Sequence, residues 1–157
     1  MKISLITIGK TEDKYIIEGM EKYCKRLKHY IQFKTIELPE LKNTKSLSED
    51  QQKAKEAEVL LKQISSTDYV VLLDERGQEL SSIQFSGFLN KKALSSISQL
   101  VFVVGGPYGF DQLVHNRSQD KISLSKMTFS HQMVRLFFIE QLYRAFTILK
   151  GEPYHHE

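Results

Sequence analysis

VFVVGGPYGFD, residues 101–111, contains a four-residue apolar run, a glycine-rich break and an acidic residue suited to open a helix. A buried strand is therefore expected to end at Val104, and the turn after it decides how the rest of the chain is read. Three uses of such a turn compete: a phosphate cradle, a seat for a cofactor without phosphates, and a plain tight corner with positive φ. A dinucleotide fingerprint needs G-x-G-x-x-G and a later acidic residue, and a triphosphate loop needs G-K-S or G-K-T. Gly105-Gly106-Pro107-Tyr108-Gly109 fits neither. Bare glycine amides can still come close to a ligand, so the cofactor seat and the corner both stay open.

Working outward, short β-rich runs alternate with helical periodicities. Ile3 to Ile8 predicts a strand, and Ile16, Met20, Tyr23 and Leu27 mark one face of a helix. Ile31 to Leu38 predicts a second strand, ended by Pro39. After a polar loop, Ser48 with Gln51 makes a capping box for a helix that buries Ala57, Leu60, Leu61 and Ile64. Tyr69 to Leu73 predicts a strand, Asp74-Glu75-Arg76-Gly77 a turn, and Ser81 with Gln84 caps the next helix. The last helix is expected to start at Ser130, to bury Val134, Phe138, Leu142, Ala145 and Leu149, and to stop at Gly151 and Pro153. This alternation predicts an α/β fold with a mostly parallel sheet flanked by helices, in one domain over residues 1–157.

Composition narrows the functional classes. With 41% hydrophobic and 26% charged residues, the 157-residue chain suits one folded core. A net charge of +3 is too small to mark a nucleic-acid binder by itself, so any basic surface is local. Lys22, Lys25, Arg26, Lys28, His29 and Lys34, interleaved with Tyr23 and Tyr30, form one such streak, either a solvated helix face or a hold on RNA. Cys24 is the sole cysteine, which suits a reducing cytoplasmic setting. The opening MKISLITIGKTEDK meets charge too early for a signal peptide or a membrane span. The five histidines have no metal-ligand spacing, so no metal is expected.

Three strand ends, at Leu73, at Gly105 and at Leu124-Ser125-Lys126-Met127-Thr128-Phe129, can wall one pocket, because ligands in open α/β sheets collect at the carboxyl ends of strands. Amides, carbonyls and apolar side chains there suit an adenine and a thioether better than a polyphosphate.

Five motifs in order, VGGPYG, SLSKMTF, HQMVR, EQLYRAF and PYHHE, together with the MKI start, resemble the RlmH family of ribosomal large-subunit pseudouridine methyltransferases, members of the SPOUT class. The resemblance implies a C-terminal trefoil knot, S-adenosylmethionine in the knot, and a homodimer. The implied reaction methylates N3 of a pseudouridine in 23S ribosomal RNA within the assembled ribosome. Carried over by position, Leu73, Gly105, Leu124, Ser125, Lys126, Met127, Thr128 and Phe129 contact the donor. Tyr154, His155 and Arg135 are the expected catalytic group, and Arg144 and His156 are expected to hold substrate. His156 stands where relatives commonly carry Arg or Lys, which predicts a weaker or pH-dependent grip. The competing class is a non-enzymatic nucleotide- or RNA-binding α/β module.

Overall fold

The computed structural model describes residues 1–156. Five strands, β1 (Lys2–Ile8), β2 (Phe33–Leu38), β3 (Tyr69–Glu79), β4 (Gln99–Val104) and β5 (Asp120–Ser123), form one sheet in the order β2-β1-β4-β3-β5. Every pairing is parallel. The helices are α1 (Lys14–Leu27), α2 (Glu49–Gln63), α3 (Ser82–Leu94), α4 (Gln112–Arg117) and α5 (Met133–Leu149), with a single 3-10 turn at Thr44–Ser46.

Side-chain alternation along the strands sorts the helices into two layers. Ile3, Leu5, Leu100 and Phe102 face α1, α3 and α5, while Ile6, Val70, Leu72, Val101 and Val103 face α2 and α4. On the first face the Phe102 and Phe138 rings meet with centroids 4.7 Å apart, which fixes α5 over the middle of the sheet. Both predicted capping boxes form: Ser48 and Gln51 bond reciprocally at the start of α2, and Ser81 and Gln84 at the start of α3. Ser130 caps from two residues before the Gln132 N-cap position, its Oγ accepting from the Met133 N–H at 3.2 Å.

Two boundaries differ from the sequence expectation. Ile31 does not begin β2; its N–H closes α1 onto Leu27 O at 3.0 Å, and the strand starts at Phe33. Asp74 to Gly77 is not a turn between elements but an irregularity inside β3, which runs on to Glu79. Both Leu73 and Gln78 align with Ile122 of β5, so the residues between them bulge out of the ladder. Turn-type residues do not separate these cases, because the same chemistry that ends a strand also loops out a bulge. The bulge pushes Asp74, Glu75 and Arg76 over the end of the sheet and returns the chain at Gly77, where β5 runs so close that a Cβ would lie 2.7 Å from the Ile122 and Lys121 backbone.

After β5, at one sheet edge, the chain crosses back over the ends of β3 and β4 to start α5 beside the end of β1. That crossing closes the site described next. Gly77→Ala is expected to cost about 2 kcal/mol or more by forcing β3 and β5 apart, lowering the melting temperature by about 4–8 °C; calorimetry checks this.

Candidate functional site

The three strand ends singled out in the sequence converge on a cleft of about 440 Å³, within the range of small-molecule sites. Leu73, where β3 enters its bulge, and Val104, at the end of β4, stand at its wall, the Gly105–Gly109 turn forms one side, and Leu124, Ser125, Thr128 and Phe129 form another. Met127 sits at the rim, 78% exposed. The crossing loop holds its own shape: Ser123 Oγ donates to Ser125 O at 2.9 Å, and Ser125 Oγ accepts from the Met127 N–H at 2.9 Å. Lys126 is not part of the wall; its ammonium is 85% exposed and lies 3.9 Å from the Glu79 carboxylate.

The wall is less neutral than the sequence suggested. The bulge brings Asp74, Glu75 and Arg76 to the cleft, α2 adds Lys53, and His131 stands at the start of the last helical segment. Lys53 is paired with Asp50 at 3.3 Å, and Asp74 Oδ1 accepts from the Arg76 N–H at 2.9 Å. Glu75, Arg76 and His131 are exposed and Asp74 and Lys53 half-buried, whereas Leu73, Val104, Leu124, Phe110 and Phe129 supply apolar lining beside the glycine backbone.

The glycine turn owes its composition to what lies behind it as well as to what it faces. Gly109 donates its N–H to Gly106 O at 3.2 Å, closing the corner, and Asp111 caps α4 through the Leu113 N–H at 2.8 Å. A Cβ on Gly106 would stand 2.7 Å from the Glu56 carboxyl carbon. Glu56, on α2, is only 5% exposed, and sequence reading missed it. One signal was present: Glu56 precedes Leu60 by four residues and Ile64 by eight, so a carboxylate occupies the stripe that α2 buries. Burial pushes its carboxyl above the ordinary range, against a downward pull from the Gln52 hydrogen bond and from His131.

The tail and arginine candidates lie elsewhere. Arg135 is 2% exposed and fully engaged in holding α5 to β1: Nε donates to His131 O, Nη1 to Gly9 O and Thr11 Oγ1, and Nη2 to Ile8 O, all between 2.9 and 3.0 Å. The expectation that it touches RNA or reacting atoms is corrected accordingly: a guanidinium spent on four internal bonds is a positioning group. Burial pulls its pKa down, and Glu37, 3.7 Å away, together with Glu40 and Glu12 pulls it back up.

Tyr154, His155 and Arg144 gather with Glu140 on α5. Arg144 donates to Glu140 Oε1 at 2.7 Å, Tyr154 donates to the same oxygen at 2.9 Å, and Arg144 Nη1 lies 3.4 Å from His155 Nδ1. The Arg144 guanidinium stacks over the Tyr154 ring, and Arg26 from the basic streak lies over both Tyr23 and Tyr143. Burial, with the bonds to Tyr23 and Glu140, raises the Tyr154 pKa, so its phenol is a donor and not a base. His155 Nε2 is buried without a partner, and His156 is exposed. None of these residues lines the cleft. Among the described residues there is no group of three or more potential metal ligands, and no helix is long and apolar enough to cross a membrane.

A five-stranded parallel sheet with helices on both faces and a cleft at the carboxyl ends of its strands places the protein in the open α/β class. The particular family follows from comparison: residues 1–155 match the family described as predicted SPOUT methyltransferase, and the chain belongs to it. Proteins named Ribosomal RNA large subunit methyltransferase H are similar over their full length, at 59% identity in Parabacteroides distasonis, 56% in Flavobacterium johnsoniae and 52% in Bacteroides fragilis. In each case the match covers 100% of both chains. Membership of a methyltransferase family implies a methyl donor.

Arg135→Ala strands the carbonyls of Ile8, Gly9 and His131 and is expected to destabilise the fold by about 3 kcal/mol or more. Urea denaturation checks this.

Proposed function

We propose that the protein transfers methyl from S-adenosylmethionine to N3 of a pseudouridine in 23S ribosomal RNA of the assembled ribosome, acting in the cytoplasm as a homodimer of one-domain chains. The observation that carries the reading is the convergence of three strand ends on one cleft in a chain this similar to ribosomal RNA methyltransferases. We further propose that the 124–132 crossing is threaded through the preceding loop as the C-terminal trefoil knot.

The cleft suits the donor on physical grounds. Its inner wall of Leu73, Val104, Leu124 and Phe129 offers apolar surface for an adenine, and the backbone of Gly105 and of residues 124–129 offers amides and carbonyls for its polar edge. Bound there, the donor supplies an electrophilic methyl on a sulfonium. Leu73, Gly105, Leu124, Ser125, Met127, Thr128 and Phe129 hold it in place, with Lys126 beside the rim. The protein's share of catalysis is then to hold N3 in line with that methyl and to provide an outlet for the N3 proton.

The tail cluster supports the substrate role. Tyr154 and His155 are the tail groups that orient the target base, Tyr154 held in place by its bond to Glu140 Oε1 and His155 beside Arg144. Arg144 and exposed His156 hold phosphate, with the Arg26 streak beside them. Arg135 contributes by fixing α5, not by contact.

Where these groups sit supports the proposed dimer. Val134 lines the cleft, whereas Glu140 and Arg144, which hold the tail, stand roughly 9–15 Å further along α5. Tyr15 of α1 and Phe137 of α5 are 64% and 39% exposed, and the Phe137 ring lies 4.9 Å from Phe129 of the cleft. An antiparallel pairing of α5 helices across these rings lays one protomer's tail against its partner's cleft.

Incubation of 70S ribosomes, separate subunits and stripped RNA with protein and labelled donor tests the activity. Label on a 23S pseudouridine in 70S particles is expected; label on stripped RNA alone overturns ribosome recognition. Failure of millimolar donor to give any heat in calorimetry favours the non-enzymatic binding module. Light scattering at micromolar concentration is expected to give twice the 18.2 kDa chain mass. His155→Ala is expected to lower the methylation rate about 100-fold while leaving donor affinity unchanged.

A further inference from the structure

Glu56 carries a buried carboxyl group with no basic side chain bonded to it, on the wall between the donor cleft and a second cavity. That cavity, about 210 Å³, shares Gly106, Pro107 and His131 with the cleft and contains Glu56, Glu40 and Arg135 on its own side. Glu56 Oε1 accepts from Gln52 Nε2 at 3.0 Å, and among the described residues no group donates to Oε2. Arg135 does not neutralise it: that guanidinium is engaged by four oxygens and balanced by Glu37, Glu40 and Glu12. Among the described residues, His131 is the basic side chain whose field pulls the Glu56 pKa down, and His131 is exposed. An unpaired buried carboxylate destabilises a fold unless something positive comes to it.

Gly106 lines the cleft, and the space its Cβ would take is filled by the Glu56 carboxyl group. Of the acidic groups on the cleft side, Asp74 is half-buried and Glu75 is exposed, where water and salt weaken its field; Glu56, only 5% exposed, is screened less than Glu75.

We propose that Glu56 is a specificity-determining residue for the donor: acting through the side-chain-free Gly106, it makes the cleft prefer a ligand with a positive centre at sulfur over the neutral thioether left after transfer. This rests on the reading of the cleft as the S-adenosylmethionine site. It accounts for glycine at position 106, since any side chain would displace the carboxylate from the wall. It also gives the cycle a direction, because the charge that Glu56 favours disappears when methyl leaves, and product binding weakens.

The test is calorimetry at pH 8 with three ligands: S-adenosylmethionine, its demethylated product S-adenosylhomocysteine, and sinefungin, which carries an amine in place of the sulfonium methyl. In Glu56→Gln the two positively charged ligands are expected to lose about tenfold in affinity, with S-adenosylhomocysteine unchanged within about twofold. Glu56→Asp, which keeps the charge, is expected to keep the wild-type preference. Because the amide removes an unpaired charge, Glu56→Gln without ligand is expected to melt no lower than wild type. Equal loss for all three ligands, no loss at all, or a destabilised or unfolded amide variant overturns the proposal and leaves the donor reading standing. Failure of wild type to bind any of the three overturns the donor reading itself.

Discussion

The grip of Arg135 on the end of β1 is the constraint on which the rest of the architecture depends. A parallel sheet leaves its strand ends as loops, and the chain leaving β5 starts at the far edge from β1. The buried guanidinium takes the carbonyls of Ile8 and Gly9 and the Thr11 hydroxyl, while also holding His131 O on its own segment. It thereby fixes where α5 begins and how far the 124–132 crossing must stretch. No aliphatic residue could do this, because several carbonyls at one strand end need donors, and a planar fork supplies them from one side chain.

With α5 fixed, the cleft and the tail become two ends of one ruler. Val134 stands at the cleft, and Glu140 and Arg144, on the same helix, hold Tyr154 and His155. The rigidity of a 17-residue helix packed through Phe138, Ile139 and Leu142 keeps these ends apart. The separation keeps the cleft and the tail cluster apart within one chain, with the partly exposed Phe137 ring between them.

The glycine turn mediates between the two faces of the sheet. It ends β4, shapes the cleft and is backed by a carboxylate from α2. Its glycines leave room for the Glu56 carboxyl group behind and open the backbone to the cleft in front, as the proposed donor seat requires.

Much of the architecture was legible in the amino-acid order alone. Alternating apolar runs set the strands, Ser48 with Gln51 and Ser81 with Gln84 set helix starts, and the apolar stripe through Phe138 and Leu142 set α5, because these signals are local and repeat at the period of the element. The three strand ends of the cleft were legible for a related reason: in a parallel sheet, position along a strand already says which end a loop occupies. Tertiary structure decided the rest. Only strand pairing shows that Asp74 to Gly77 is a bulge against β5, since a bulge is defined by its neighbour. Only packing shows that Arg135 is internal and that Lys126 lies off the cleft wall, because a charged residue's role depends on which oxygens surround it. Glu56 is the clearest case: a glutamate in a helix is ordinary in sequence, and only the packing of α2 lays its carboxyl group behind Gly106, against the second cavity.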